Sequence, residues 1–170
     1  MEYRKQLMKM IDKFTVRSVE EFKEAENKII ADSKFSRIRK KKDYPGHIEL
    51  LRNVKKKAQK INPKSIVIPD DDGQANELRY AFEKCLIAFS SVCDSYIRME
   101  QILQDKAEGA KVSYGEYKDY HNKVKQSRAD FNQRVHEMDI LYSDLLEYSE
   151  DFSSSEDFGG IEYKTYDAIK

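Results

Sequence analysis

The chain has 170 residues, and its 31 lysines and arginines equal its 31 aspartates and glutamates, so that 36% of the residues carry charge. An average domain has about 25% charged residues, and this excess, with only six glycines and three prolines, argues against a β-sandwich. No apolar run has the length of a membrane span, and the first residues are too charged for a secretory signal. We therefore expect a cytoplasmic protein without membrane insertion.

Apolar residues three and four apart predict five helices, which cover about residues 2–14, 18–41, 46–61, 74–107 and 114–149. β-branched Thr15 and Val16 interrupt the first pattern, and Ser18 with Glu21 forms a capping box that predicts a new helix start. Pro45 disfavours helical geometry at the residue before it, which predicts that the third helix begins at Gly46.

The clearest pattern is an a/d seam in the fourth predicted helix. Its members are Leu78, Phe82, Cys85, Phe89, Val92, Tyr96, Met99 and Leu103. The fifth helix continues it with Tyr117, Tyr120, Val124, Phe131, Val135, Met138, Tyr142 and Leu145.

Gly109 ends the first of these two helices, and a capping box of Ser113 and Glu116 begins the second, so they fold back antiparallel. Residues 85–89 are apolar on nearly every side, which predicts that the shorter helices bury them. The predicted fold class is all-α: an elongated three- to four-helix bundle built on a long antiparallel coiled-coil-like hairpin. One domain covers residues 1–149, and residues 150–170 form an acidic, disordered tail.

The residues that carry chemistry are few. Cys85 and Cys93 lie too far apart on one helix for a disulfide and are interpreted as reduced core residues. The three histidines, His47, His121 and His136, are expected at exposed or half-buried positions, and none belongs to a metal-ligand motif. Aspartates 70–72 are interpreted as a helix cap rather than a cation site. We predict no cofactor, no metal and no catalytic activity; a helical enzyme without a familiar motif is the alternative.

Positive charge is concentrated in residues 34–64, which hold 12 basic and two acidic residues, a net charge of +10. Such asymmetry indicates a polyanionic partner. The predicted polyanion-binding residues are Arg37, Arg39, Lys40, Lys41, Lys42, Tyr44, His47, Arg52, Lys55, Lys56, Lys57, Lys60 and Lys64.

We interpret the chain as a non-catalytic binding or assembly module that contacts an acidic protein surface or another polyanion through this segment. The first alternative is a nucleic acid, with phosphates bound by the basic residues and a base stacked on Tyr44 or His47. The chain's own acidic tail, which could mask this segment, an anionic membrane, and simple solvation of an outer helix face are the other interpretations of these lysines. The a/d seam also permits a homodimer through the hairpin.

A helical hairpin followed by Tyr163-Lys164-Thr165-Tyr166-Asp167 resembles the ESX-type secreted hairpins, whose tails carry a Tyr-x-x-x-Asp/Glu signal. The resemblance covers the hairpin and these five residues, while the Trp-x-Gly turn of that family is absent from this chain. It implies a secreted helical hairpin as a further alternative function.

Overall fold

The computed structural model describes residues 1–34 and 42–147, which form an all-helical bundle and confirm the predicted fold class. The ends predicted for the second and last helices, at residues 41 and 149, and the predicted tail 150–170 lie outside the described residues. The helices are α1 (Glu2–Lys13), α2 (Glu20–Lys34), α3 (Tyr44–Ala58), α4 (Gly73–Ala107) and α5 (Tyr114–Glu147); a π-helical segment (Phe14–Val19) joins α1 to α2, and a 3-10 turn (Pro63–Ser65) precedes α4.

The helices predicted over residues 2–14 and 18–41 are continuous through the π-helical segment, so the predicted break and the capping box at Ser18 are wrong. Thr15 donates its hydroxyl hydrogen to the carbonyl oxygen of Ile11, and its β-branch lowers helix propensity only slightly. In an α-helix, each residue lies about 40° further around the helix axis than the residue four positions before it. The wider π turns offset this drift, and Phe14, Ser18 and Phe22 all remain buried.

Helix α3 begins at Tyr44, two residues before the predicted start, because Pro45 is accommodated in its first turn. Backbone N–H groups there have no intrahelical partner, so the missing proline N–H costs no hydrogen bond. The Asp43 carboxylate caps the helix by accepting the N–H of Gly46 at 3.1 Å. A Cβ atom at Gly46 would overlap that carboxylate, so this cap requires glycine.

The long helices α4 and α5 fold back on each other as the sequence predicted. Gly109, with φ of 101°, ends α4 in a Schellman motif: its N–H donates to the Lys106 carbonyl, and the next N–H donates to that of Asp105. Ser113 Oγ accepts the N–H of Glu116 at 3.1 Å, which confirms the predicted cap of α5. At 1.5 Å per residue, α4 and α5 are each about 50 Å long.

The seam between these helices is filled within one chain. Its buried members are Leu78, Phe82, Cys85, Phe89, Val92, Met99, Val124, Phe131, Met138 and Leu145. Pairing two chains through this seam would therefore require the hairpin to open. Phe89 stands at the centre, with its ring centroid 5.2 Å from that of Phe14, 5.6 Å from that of Phe22 and 5.4 Å from that of Phe131. Both cysteines are free and buried, and burial raises the pKa of each thiol to about 12.

The packing around α4 leaves one side uncovered. Cys85, Ala88 and Phe89 are buried, but Ile87 is 68% exposed, so the prediction that α4 is buried all round here is wrong. The elements that pack against α4 are α3, α5 and the helix that includes Phe14 and Phe22, and they leave Ile87 exposed. Among residues 1–34 and 42–147, no helix combines the length and the apolar character needed to cross a bilayer.

The start of α4 is tied to the start of α1 through Asp72. Its carboxylate accepts the Ala75 N–H at 3.1 Å, which confirms the capping interpretation for this aspartate. It also accepts two bonds from the Arg4 guanidinium, at 2.6 and 2.7 Å, and one from the Tyr3 hydroxyl at 2.9 Å. The Arg4 guanidinium holds the pKa of Asp72 below its ordinary value.

Candidate functional site

Half of the predicted basic residues that lie in and just after α3 make ion pairs inside the chain. Lys55 Nζ lies 2.7 Å from a carboxylate oxygen of Asp94, and Lys57 Nζ lies 2.8 Å from one of Glu21. Lys64 Nζ lies 3.7 Å from Glu83. Since these ammonium groups already face carboxylates, part of the charge that suggested a polyanion partner is neutralised by α2 and α4.

The other half forms what we call the α3 basic surface, namely Arg52, Lys56 and Lys60. All three are exposed, and none makes an ion pair with a described residue. Residues four apart are neighbours on a helix surface, so Arg52 and Lys56 lie side by side, and Lys60 follows in the turn after α3. Arg37, Arg39, Lys40 and Lys41 lie outside the described residues.

Lys42 and Tyr44, which were predicted to bind the same polyanion, line a cleft. Both are half-buried, and burial raises the pKa of the Tyr44 hydroxyl. They therefore face a different region from the α3 basic surface. The predicted basic residues that the structure describes do not come together into one binding face.

The burial of His47 contradicts the interpretation from sequence most directly. Its side chain is only 2% exposed and cannot stack on a nucleic-acid base. Its Nδ1 lies 2.7 Å from Glu100 Oε2, and its Nε2 lies 2.8 Å from Asp32 Oδ2. We call Asp32, His47 and Glu100 the His47 cluster; it joins α2, α3 and α4. Burial raises the pKa of Glu100, while the bond to His47 and the charge of Lys42 oppose that increase.

The contacts of the His47 cluster set the smallest number of hydrogens that it holds. Each nitrogen–oxygen contact needs one hydrogen, so two protons are shared among the three side chains. An imidazolium between two carboxylates satisfies this condition, and so does a neutral imidazole with one carboxylate and one protonated carboxyl group. Both arrangements leave the cluster with one negative charge.

A second buried acid, Glu26, lies nearby on α2. Its Oε2 accepts the Tyr96 hydroxyl hydrogen at 2.6 Å and pairs with the guanidinium of Arg128 from α5. Burial raises the pKa of Tyr96 to about 12, so its hydroxyl remains a donor at neutral pH. Among the described residues, no buried side-chain nitrogen or oxygen lacks a hydrogen-bond partner.

Members of both clusters line the cleft, which we call the Tyr44 cleft, although Glu26 itself is not part of the lining. It has a volume of about 670 Å³ and lies between the end of α2, the start of α3 and the facing sides of α4 and α5. This volume is within the range of about 300–1,000 Å³ that is typical of small-molecule sites. Its apolar lining is Ile29, Ile30, Met99, Leu103 and Val124, and its other lining includes Lys42, Tyr44, Tyr117, His121 and Lys125.

The His47 cluster differs from a catalytic triad in one decisive respect. In a triad, one ring nitrogen bonds a carboxylate and the other activates the nucleophile. Both nitrogens of His47 face carboxylates, so neither is available to a hydroxyl or thiol nucleophile. No group of three or more His, Cys, Asp or Glu side chains in residues 1–34 and 42–147 is arranged to hold a metal ion.

Neither buried cluster was identified from the sequence, although one signal for them was present. His47 precedes Leu51, Val54 and Ala58 at the spacing of an apolar stripe, and Glu26 lies between Phe22 and Ile29 in the same way. A charged or titratable residue in register with apolar neighbours indicates burial. That signal does not say which acid meets which histidine.

The comparisons with known proteins give no match to a family model, a curated protein or a solved structure. Residues 163–167, which carry the resemblance to ESX-type hairpins, lie outside the described residues.

Proposed function

We propose that the chain is a non-catalytic, cytoplasmic binding module that contacts an acidic protein surface through the α3 basic surface. The observation that carries this proposal is the contrast within one segment. Lys55, Lys57 and Lys64 have carboxylate partners in the chain, whereas Arg52, Lys56 and Lys60 have none among the described residues.

Like charges four residues apart on a helix repel by about 0.2–0.5 kcal/mol per pair. Arg52 and Lys56 are such a pair, and an external carboxylate between them would relieve the repulsion. The arginine can also bind a carboxylate through two parallel hydrogen bonds. A row of acidic side chains on a partner protein supplies both features.

The placement of Tyr44 and His47 favours a protein over a nucleic acid. The nucleic-acid alternative used these rings for stacking, but Tyr44 lines the cleft and His47 is buried. Three exposed cations then supply few phosphate contacts. Arg37, Arg39, Lys40 and Lys41 remain sequence-based predictions for the same contact.

The test compares two triple variants that remove equal charge. The full chain is titrated into labelled poly-L-glutamate and, separately, into duplex DNA, at 50 and 200 mM salt, with anisotropy as the measurement. We expect Arg52→Gln/Lys56→Gln/Lys60→Gln to weaken polyglutamate binding about tenfold or more. The control, Lys55→Gln/Lys57→Gln/Lys64→Gln, should weaken it less than about threefold, because those cations are already paired.

Two outcomes would contradict the proposal. Equal loss in both triple variants would show that net charge, rather than the α3 basic surface, determines binding. Salt-sensitive binding to duplex DNA without binding to polyglutamate would assign the surface to a nucleic acid instead.

A further inference from the structure

The acidic and basic side chains of the Tyr44 cleft differ in whether they have partners inside the chain. The carboxylates of Asp32 and Glu100 both face His47, and that of Glu26 faces Tyr96 and Arg128. The two acidic residues of the lining, Asp32 and Glu100, and the buried Glu26 therefore all have partners inside the chain. A cationic ligand would have to displace one of them.

The two lysines of the cleft, in contrast, lack ion-pair partners among the described residues. Lys42 is half-buried and Lys125 is exposed, and neither ammonium group makes an ion pair with a described residue. They come from different parts of the chain, Lys42 from the residues before α3 and Lys125 from α5. Because the two lysines outnumber the single negative charge of the His47 cluster, the charge left for a ligand is positive.

The rest of the lining is largely apolar and partly exposed to water. Ile29, Ile30 and Leu103 are half-buried, and Met99 and Val124 are buried. Covering such surface is favourable in proportion to the apolar area removed from water. Tyr44 and Tyr117 complete a lining that combines apolar and polar side chains.

From this combination we infer that the Tyr44 cleft binds a small amphipathic anion, with its apolar body on the isoleucine–leucine lining and its acidic group between Lys42 and Lys125. A medium-chain fatty acid or an aromatic sulfonate has this chemistry. The site is separate from the α3 basic surface, and it does not depend on the proposed function.

The first experiment compares head groups on an identical chain. The full chain is titrated with 8-anilinonaphthalene-1-sulfonate, and the bound probe is displaced by dodecanoate, dodecyltrimethylammonium or dodecyl maltoside below their micelle concentrations. We expect dodecanoate to displace the probe at a concentration about tenfold lower than the other two, because hydrogen bonds to charged groups are the stronger ones. Failure of the probe and of dodecanoate to bind, or equal displacement by the ammonium compound, would overturn the inference.

The second experiment locates the site with matched variants. Lys42→Gln/Lys125→Gln should weaken dodecanoate binding about tenfold, whereas Lys56→Gln/Lys60→Gln on the α3 basic surface should change it less than about twofold. Ala129→Trp adds bulk at the exposed edge of the cleft and should block binding, whereas Ala107→Trp, at the exposed end of α4, should not. Circular dichroism checks that each variant is folded.

Unchanged binding in both Lys42→Gln/Lys125→Gln and Ala129→Trp would place the ligand elsewhere and overturn the inference. Vesicles of phosphatidylglycerol present the same chemistry as a lipid surface. Cosedimentation with these vesicles that persists in Ala129→Trp, without binding of free dodecanoate, would mean that a surface and not the cleft recognises the anion.

Discussion

The two ends of the bundle each contain a buried carboxyl group, and the pKa values of these two groups shift in opposite directions. Asp72 begins α4, and its pKa is lowered by the Arg4 guanidinium. Glu100 lies 28 residues further along the same helix, and burial raises its pKa. The difference follows from the balance between burial and partners: the permanently charged Arg4 guanidinium outweighs the burial of Asp72, whereas the burial of Glu100 outweighs the opposing bond to His47.

The comparison shows how one helix uses two kinds of polar contact. At the Asp72 end, a permanent ion pair and a helix cap hold a buried carboxylate whose partners Arg4 and Tyr3 are half-buried. At the Glu100 end, Glu100 and His47 are both buried, and their stability depends on a complete set of hydrogen bonds. Losing one partner should therefore cost more at the Glu100 end.

The largest expected effect is that of His47→Leu. It removes both partners' hydrogen bonds and leaves Glu100 buried without a donor, which should lower the free energy of unfolding by about 3–5 kcal/mol. Urea unfolding followed by circular dichroism measures it. The matched variant His47→Leu/Glu100→Leu should recover part of the loss, because it also removes the buried acid. A loss below about 1 kcal/mol in the single variant would contradict the comparison.

Arg4→Met should have a smaller effect. Asp72 keeps the N–H of Ala75 and the Tyr3 hydroxyl, so the expected loss is about 1–3 kcal/mol, the range for a hydrogen-bonded charge. The same urea experiment measures it, with Lys23→Met, at a surface pair of α2, as a control that should lose less than about 1 kcal/mol. A loss in Arg4→Met larger than that in His47→Leu would reverse the proposed ranking.

The contribution of the Arg4–Asp72 pair should also depend on pH. The folded pKa of Asp72 is below its ordinary value of 3.8, so the stabilisation is fully present above that value and is lost as pH falls through the folded pKa. The difference in stability between the wild type and Arg4→Met should therefore shrink on acidification from pH 6 towards about pH 2. A difference that stays constant over this interval would show that Arg4 acts by packing alone.

Glu100 should make a small contribution of the opposite sign to the pH dependence of folding stability. Its folded pKa is raised above the ordinary value of 4.5, so its contribution is fully present below that value and is lost as pH rises through the folded pKa. Glu100→Gln does not titrate, and its stability relative to the wild type should increase as pH rises from 4 towards 7. Thermal unfolding at matched ionic strength measures this trend. A decrease in the stability of Glu100→Gln relative to the wild type would mean that the fold favours the charged form of Glu100.

The hairpin was predictable because its signal is local. A seam in steps of three and four, a glycine stop and a serine cap are each recognised within a few residues, and Gly109 and Ser113 have the predicted roles. The same local rules were wrong at Ser18 and Pro45. At Ser18, tertiary packing keeps the helix continuous through a weak helix former, and at Pro45 the first turn accepts proline because its N–H groups have no intrahelical partner.

The candidate sites were less predictable. Charge density identified the basic segment, but it could not separate Lys56, which has no ion pair with a described residue, from Lys55 and Lys57, whose partners Asp94 and Glu21 are distant in sequence. The cleft was missed because its side chains come from four helices, and the His47 cluster was missed because its side chains come from three.

Local sequence signals therefore determined that this protein is a helical bundle on a long hairpin, because an apolar stripe can be recognised from the spacing of neighbouring residues. Which charges are neutralised, which histidine is buried and where a cavity remains were determined by the packing of the helices. These properties depend on distances between residues far apart in the chain, and a linear pattern does not contain those distances.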